Sequence, residues 1–511
     1  MVRIMEYKGH IRNWEALCRE LNISTQLSRE ERESAILTAA YRTWGCDMGN
    51  HMHGMFAFAL QDDEKQQLFC LRDQFGTKPF YYYAAADGRL LYGVTIRRIM
   101  EQPGFVKELN EKMLQLYLSM TYAAGEETFF KGVYKLMPGR YLIWKDGKIQ
   151  IGRYWKPEFH PDESKSLEDW ADEIHSTLQL IMPEVKTNDE YAEAFLSSGV
   201  DSSYVTAMSD VPMTDSCAYA EERFDESVLA AQTAQILGRG HSKCLITPEE
   251  YFSTVPYVMN SMEQPLGDAS AIAFTLGCRA TAKHTKICYS GEGSDEFFGG
   301  YNMYRNAERY GDNLKNFYAG STNIMKEDEK KQLLRKYDDT VLPINLCREI
   351  YEETEGLDPL TKMSDIDIQI WLEGDIYLNV DKMSTASGLE IRMPLTDTRM
   401  FDIASRMPSR YKINDTQNKV AFRTAAAKVL PEEIAFRRKL GFIVPIRIWM
   451  ADSRYNQDVR RTLRSDTAAR FFDMDETKAL FDRYIAGDSD SWRKIWVIYT
   501  FLVWYRGAFA E

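Results

Sequence analysis

The chain has 511 residues, too many for one hydrophobic core, so two or three domains are expected. Apolar residues make up 44% and aromatic residues 13%, which excludes a disordered chain; a net charge of −13 argues against nucleic acid or an anionic membrane as the main partner. Eight cysteines stand singly with no CxxC pair and no signal peptide opens the chain, so a reduced, cytoplasmic protein without zinc or redox pairs is expected.

The first part, to about residue 157, is rich in strand candidates: "GMFAFALQDD", "QQLFCLRD", "PFYYYAAADGRLLYGV" and "GRYLIWKDGKIQIGRYW". "ADG" and "KDG" carry hairpin turn chemistry between runs of aromatic and β-branched residues. "NHMHG" offers two histidines without further ligands at metal spacing and reads as a loop. "KPEFHPDESKS" is polar, holds two prolines and suits a linker. From "LEDWADEIHSTLQLIM", near residue 165, amphipathic helices alternate with short apolar strands, which predicts an α/β layer on a parallel sheet. From about residue 305 helical periodicity dominates. The apolar run Ile495–Tyr505 is well short of the ~20 residues that cross a bilayer and predicts a buried C-terminal helix.

Two turns in the α/β part carry the chemistry. In "FLSSGVDSSYVTAM" a strand ends at Leu196, Ser197, Ser198 and Gly199 turn sharply, and Asp201 and Ser202 open a helix. Small residues and hydroxyls at a helix N-terminus suit a phosphate chain. A plain capped helix start fits the same residues, and the Walker A pattern is missing. The second turn, "KICYSGEGSDEFFGG", sets Glu292, Asp295 and Glu296 within five residues, threaded on glycines. Two such turns at the C-terminal ends of strands predict one shared crevice, where open α/β sheets bind ligands.

These motifs resemble those of the asparagine synthetase family, the glutamine-dependent type. "LSSGVDSS" resembles its SGG[VL]DS pyrophosphatase loop and "SGEGSDEFFGGY" its second signature. "DIYLNVDKMSTASGLEIRMPLTD" and "RRKLGFIVPIRIW" are similar to two further synthetase segments, and "GMFAFALQDDEKQQLFCLRDQFGTKPFYY" to a segment of the glutaminase half. The resemblance implies an incomplete N-terminal Ntn-hydrolase-like αββα glutaminase domain over residues 1–157. A PP-loop α/β synthetase domain with a largely helical C-terminal part would follow over 165–511. It implies ATP and Mg2+, with aspartate amidated through β-aspartyl-AMP.

Residue by residue, the resemblance places Leu196, Ser197, Ser198, Gly199, Asp201, Ser202, Cys217, Ser290 and Gly291 at ATP-binding positions. Cys217 stands in "CAY" where the family has a glycine-bearing strand end. Asp201 and Asp295 match the magnesium-pyrophosphate aspartates, and oxygen-only ligation beside phosphate is what Mg2+ prefers. Glu292 matches the acid that takes a proton from incoming ammonia, and Lys439 a lysine that stabilises charge on the adenylated carboxylate. The plain readings are a helix cap for Asp201, a solvated turn for Glu292 and a solvated helix end for Lys439. Glu296 reads as a helix starter. Asp381 and Arg392 would approach aspartate or the adenylate; with Lys382 and Glu390 they lie in a segment read as helical, where buried ion pairs are the alternative.

The opening departs from the family. Residue 2 is valine, the first cysteine is Cys18 inside "NWEALCREL", and "KGHIRN" puts Lys8 where an oxyanion-hole asparagine is expected. Gly9 survives, and Glu33 falls at the glutamine-binding acid. The expectation is a glutaminase half without its cysteine nucleophile and a synthetase fed by ammonia. Its sheet would begin part-way, with a face and an edge uncovered: either the gene has decayed or been cut short, or a second copy or an unknown glutaminase partner covers them. Two rivals stay open: a related amide former acting on another carboxylate, and a non-catalytic nucleotide-binding remnant.

Overall fold

The computed structural model describes residues 1–186, 191–310, 317–320, 322–438 and 441–509. They form two compact units: Met1–Asn110 with Gly125–His160 and Asp397–Ser405, and Glu111–Ala124 with Pro161–Thr396 and Arg406–Glu511.

The first unit is built on eight strands: β1 (Val2–Ile11), β2 (Gly54–Asp62), β3 (Gln67–Arg72), β4 (Tyr81–Ala84), β5 (Leu90–Gly93), β6 (Val133–Lys135), β7 (Arg140–Lys145) and β8 (Lys148–Arg153). One antiparallel sheet runs β1-β2-β3-β7-β8, with β1 as an edge strand; a smaller one runs β5-β4-β6. Alternation in "FAFAL" sets the layers. Phe56, Phe58 and Leu60 point to Ile36, Leu37, Ala40 and Tyr41 of helix α1 (Arg29–Trp44). Ala57 and Ala59 point the other way, to Phe80, just before β4, and to Tyr82 and Leu90 of the smaller sheet. Small residues on one face and large ones on the other let a sheet be covered on both sides. A capping box between Ser28 and Glu31 starts α1, the arrangement that satisfies its first N–H groups. The "KDG" turn closes the hairpin of β7 and β8, with Lys145 and Lys148 as the last pair.

The second unit carries a five-stranded sheet, all of it parallel: β9 (Ala192–Phe195), β10 (Met213–Ala218), β11 (Gly240–Leu245), β12 (Ile287–Tyr289) and β13 (Glu390–Arg392). The order β11-β10-β9-β12-β13 reverses direction between β9 and β12. Open parallel sheets bind ligands at such a reversal, outside the carboxyl ends of the strands. Helix α2 (Val200–Met208) follows β9, helix α3 (Ser270–Thr281) precedes β12, and the short helix α4 (Ser294–Phe298) follows it. Helix α5 (Tyr377–Ser387) leads to β13, α6 (Val420–Ala426) lies beyond it, and α7 (Ser491–Phe509) closes the chain. Ile495, Trp496, Ile498, Phe501 and Leu502 of α7 are buried, as the apolar run predicts. No helix among the described residues is long and apolar enough to cross a membrane.

One reading of the sequence needs correction. The segment holding Asp381, Lys382, Glu390 and Arg392 is not one helix. Gly388 takes a left-handed conformation (φ 76°) that ends α5, and Glu390 and Arg392 lie on β13, paired with β12.

Candidate active site

The two turns singled out in the sequence leave neighbouring strands at the reversal of the sheet. β9 and β12 run parallel, with Tyr289 opposite Ala194, so Leu196–Gly199 and Ser290–Gly293 emerge side by side. Between them lies a cavity of about 230 Å³. Leu196, Ser197, Ser198, Gly199, Asp201, Ser202, Cys217, Ser290, Gly291, Glu292 and Asp295 all line it. Gly291 permits the approach of the second turn to the first: a Cβ there would come within 2.9 Å of Asp201 C and Ser202 N, both backbone.

One end of the cavity is acidic, hydroxylated and bridged by a lysine absent from the sequence reading. Lys419 Nζ donates to Asp201 Oδ1 at 2.5 Å and to Ser294 Oγ at 2.7 Å, and lies 2.7 Å from Asp295 Oδ1. Its side chain is 2% exposed, against 16% and 17% for the two aspartates. Two carboxylates this close repel, and the ammonium between them offsets that repulsion. Lys419 precedes α6 in a left-handed conformation (φ 58°), and no motif reading places it near Asp201, 218 residues away. In the phosphate loop, Ser198 donates through N and Oγ to Glu226 (3.1 and 2.8 Å), and the hydroxyls of Ser197 and Ser202 meet at 3.0 Å. Glu226 was also missed from sequence.

The rest of the lining is largely apolar and includes Phe195, Phe274, Phe224, Tyr219, Cys217 and Gly277. Cys217 fits because Gly277 gives way to it; a Cβ at Gly277 would lie 2.9 Å from Cys217 Sγ. A slot of aromatic and small side chains suits a purine, and the acid-and-hydroxyl end suits a polyphosphate with a hard cation. The donor set therefore fits Mg2+ with ATP: two partly open carboxylates, hydroxyls and a helix N-terminus.

Glu292 accepts from Ser290 Oγ at 3.3 Å, and its carbonyl accepts from Thr396 Oγ1 at 3.0 Å. Glu296 does not face the cavity. It lies in the first turn of α4, buried, accepting from Tyr301 OH at 2.5 Å, and burial followed by Asp295 pushes its carboxyl up to about 8. Asp381 and Arg392 are buried outside the cavity lining. Arg392 donates to Glu390 Oε1 and to the carbonyl of Val185, both at 2.8 Å, and Lys382 pairs with Glu263. Lys439 lies outside the described residues; Gly441, Phe442 and Ile443, just after it, line the cavity.

The two remaining predicted residues belong to the first unit. Gly9 lies on β1 opposite Phe56. Glu33, 5% exposed, accepts from Ile11 N at 3.2 Å, with His10 Nδ1 and Arg29 Nε at 3.7 and 3.6 Å. Burial raises its carboxyl, but His10, Arg29 and the Ile11 N–H outweigh that and hold it below its ordinary value.

Comparison with known proteins shows the family. The family model described as asparagine synthase matches residues 185–506, and that of the glutamine amidotransferase domain matches residues 2–155. The chain belongs to the asparagine synthase family. Members of this family are carbon–nitrogen ligases. The chain is 30% identical over 541 residues to asparagine synthetase [glutamine-hydrolyzing] 1 of Bacillus subtilis, covering 98% of this chain and 84% of that protein. It is 28% identical over 547 residues to a putative asparagine synthetase [glutamine-hydrolyzing] of Mycobacterium bovis, with the same coverage of 98% and 84%. A partial likeness, 28% over 298 residues, links it to the amidase chry2 of Gibberella zeae, covering 53% of this chain and 43% of that protein. The asparagine synthase match thus spans the parallel sheet and both turns of the cavity.

Proposed function

We propose that the chain is an ATP-dependent ligase that converts aspartate to asparagine, with ammonia rather than glutamine as its nitrogen source. The observation that carries the ligase reading is the convergence of both turns, with Asp201 and Asp295, around one cavity, the two aspartates being bridged by the buried Lys419. A β-carboxylate oxygen of aspartate attacks the α-phosphorus of ATP, pyrophosphate leaves, and β-aspartyl-AMP remains. Ammonia attacks the acyl carbon, AMP departs with the former carboxylate oxygen, and the surplus proton passes from nitrogen to Glu292. Lys419 and the helix N-terminus after Gly199 stabilise the negative charge of the departing pyrophosphate. Asp201 and Asp295 would hold Mg2+, which supplies charge neutralisation at the phosphates. Lys439, by its resemblance, stabilises the adenylated carboxylate.

The donor reading is supported by Glu33. Its carboxylate is turned inward and held by Ile11 N–H, His10 and Arg29, so it is not presented to an amino-acid ligand. Lys8, at the expected asparagine position, supplies no amide to an oxyanion. The test is a product assay with Mg2+-ATP and aspartate, supplied with either ammonium or glutamine. Asparagine, AMP and pyrophosphate in equal amounts with ammonium, and a far lower rate with glutamine, are expected. Equal rates with the two donors would overturn the donor reading alone; no pyrophosphate with either would overturn the ligase reading.

A further inference from the structure

A second cluster of ligand-type side chains lies on the parallel sheet, outside the phosphate turns. Glu193 on β9 and Asp215 on β10 are 2% and 7% exposed. Each has one oxygen engaged: Tyr191 OH donates to Glu193 Oε1 at 2.8 Å, and Ser242 Oγ donates to Asp215 Oδ1. The other oxygens, Glu193 Oε2 and Asp215 Oδ2, are buried and receive no hydrogen bond among the described residues. Buried carboxylate oxygens without a donor are costly. The turn between α3 and β12 brings the exposed imidazole of His284 to the same place. One ligand atom from each of Glu193, Asp215 and His284 lies within 4.8 Å of the other two, the one such trio among the described residues.

We infer that Glu193, Asp215 and His284 form a binding site for one divalent transition-metal ion of the zinc type. The donor chemistry selects the ion. Two carboxylates with one imidazole suit Zn2+ or Co2+ better than Mg2+, which prefers oxygen alone. The ion supplies the positive partner that the two buried oxygens lack. Without it, burial first and then the neighbouring Asp215 push the Glu193 carboxyl up to about 7. Three protein ligands leave one position of a tetrahedral ion to water. Binding would tie β9, β10 and the turn before β12 together beneath the nucleotide cavity, whose wall includes Asp215.

The test uses the full chain without a histidine tag, stripped with a chelator and titrated calorimetrically with Zn2+ alone; Co2+ absorption reports the ligand set. An Asp295→Asn background separates this site from the phosphate end of the cavity. One equivalent of Zn2+ in that background, weakened at least about tenfold by His284→Ala and by Glu193→Gln, is expected. His284 is exposed, so its variant reads out binding even if Glu193→Gln impairs folding. Zn2+ uptake below one equivalent, or uptake unchanged by His284→Ala, would overturn the site and leave a proton-sharing carboxyl pair.

Discussion

Lys419 sits 2.5 Å from Asp201 and 2.7 Å from Asp295, so one buried ammonium answers for two carboxylates. Lys419→Met should therefore act twice. Pyrophosphate release should fall by about 10²–10³-fold, the usual effect of removing a charge aimed at a transition state. The melting temperature should fall as well, because the aspartates lose their partner. A variant with unchanged pyrophosphate release would refute the role given to Lys419. Glu292→Gln separates the two half-reactions: aspartate-dependent ATP–pyrophosphate exchange should persist, while amide formation drops by at least about 100-fold. Parallel loss of both would place Glu292 in adenylation instead. The sequence made the loop residues legible because spacing along one strand and turn reports their neighbourhood. Lys419 and Glu226 were not legible, since tertiary folding alone brings them to the loop from distant parts of the chain.

Among the elements, the strand–turn–helix units were the most readable, because small residues and acid at a helix start have a local cause. Their adjacency follows from the strand order, which places β9 beside β12. Gly291 shows how tight that adjacency is. Gly291→Ala would put a Cβ against the backbone of Asp201 and Ser202 at 2.9 Å and force the two turns apart, so KM for ATP should rise at least about tenfold. An unaltered KM would mean that the turns are not held this closely. β13 was misread as helix because three residues are too few for periodicity to speak, and Gly388 is the one local mark of the break. Nor does a sequence pattern show that Asp397–Ser405 joins the first unit, next to a segment that resembles the synthetase. There Asp397, fully buried, pairs with Arg12 and Arg399, both at 2.9 Å. Its carboxyl lies well below its ordinary value; burial opposes this, and Arg12 and Arg399 prevail. A depressed folded-state pKa gives stability that is present above the unfolded value, about 4, and lost as pH falls through the folded one. Asp397→Asn should cost about 3–5 kcal/mol at neutral pH by stranding Arg12, and should flatten the acid limb of a denaturation profile. Equal acid limbs in the two proteins would remove Asp397 from the account.

For the molecule as a whole, the layer pattern was legible: antiparallel strands first, then a parallel sheet with helices, as "FAFAL" alternation and the later βα pattern predict. The ligase claim itself rests on the second unit and has one direct test. Aspartate labelled with oxygen-18 in its β-carboxylate is turned over with unlabelled Mg2+-ATP and ammonium, and the products are weighed by mass spectrometry. Adenylation predicts one labelled oxygen in each AMP and none in pyrophosphate. Label in inorganic phosphate, or AMP without label, would contradict the acyl-adenylate route and with it the reading of the cavity.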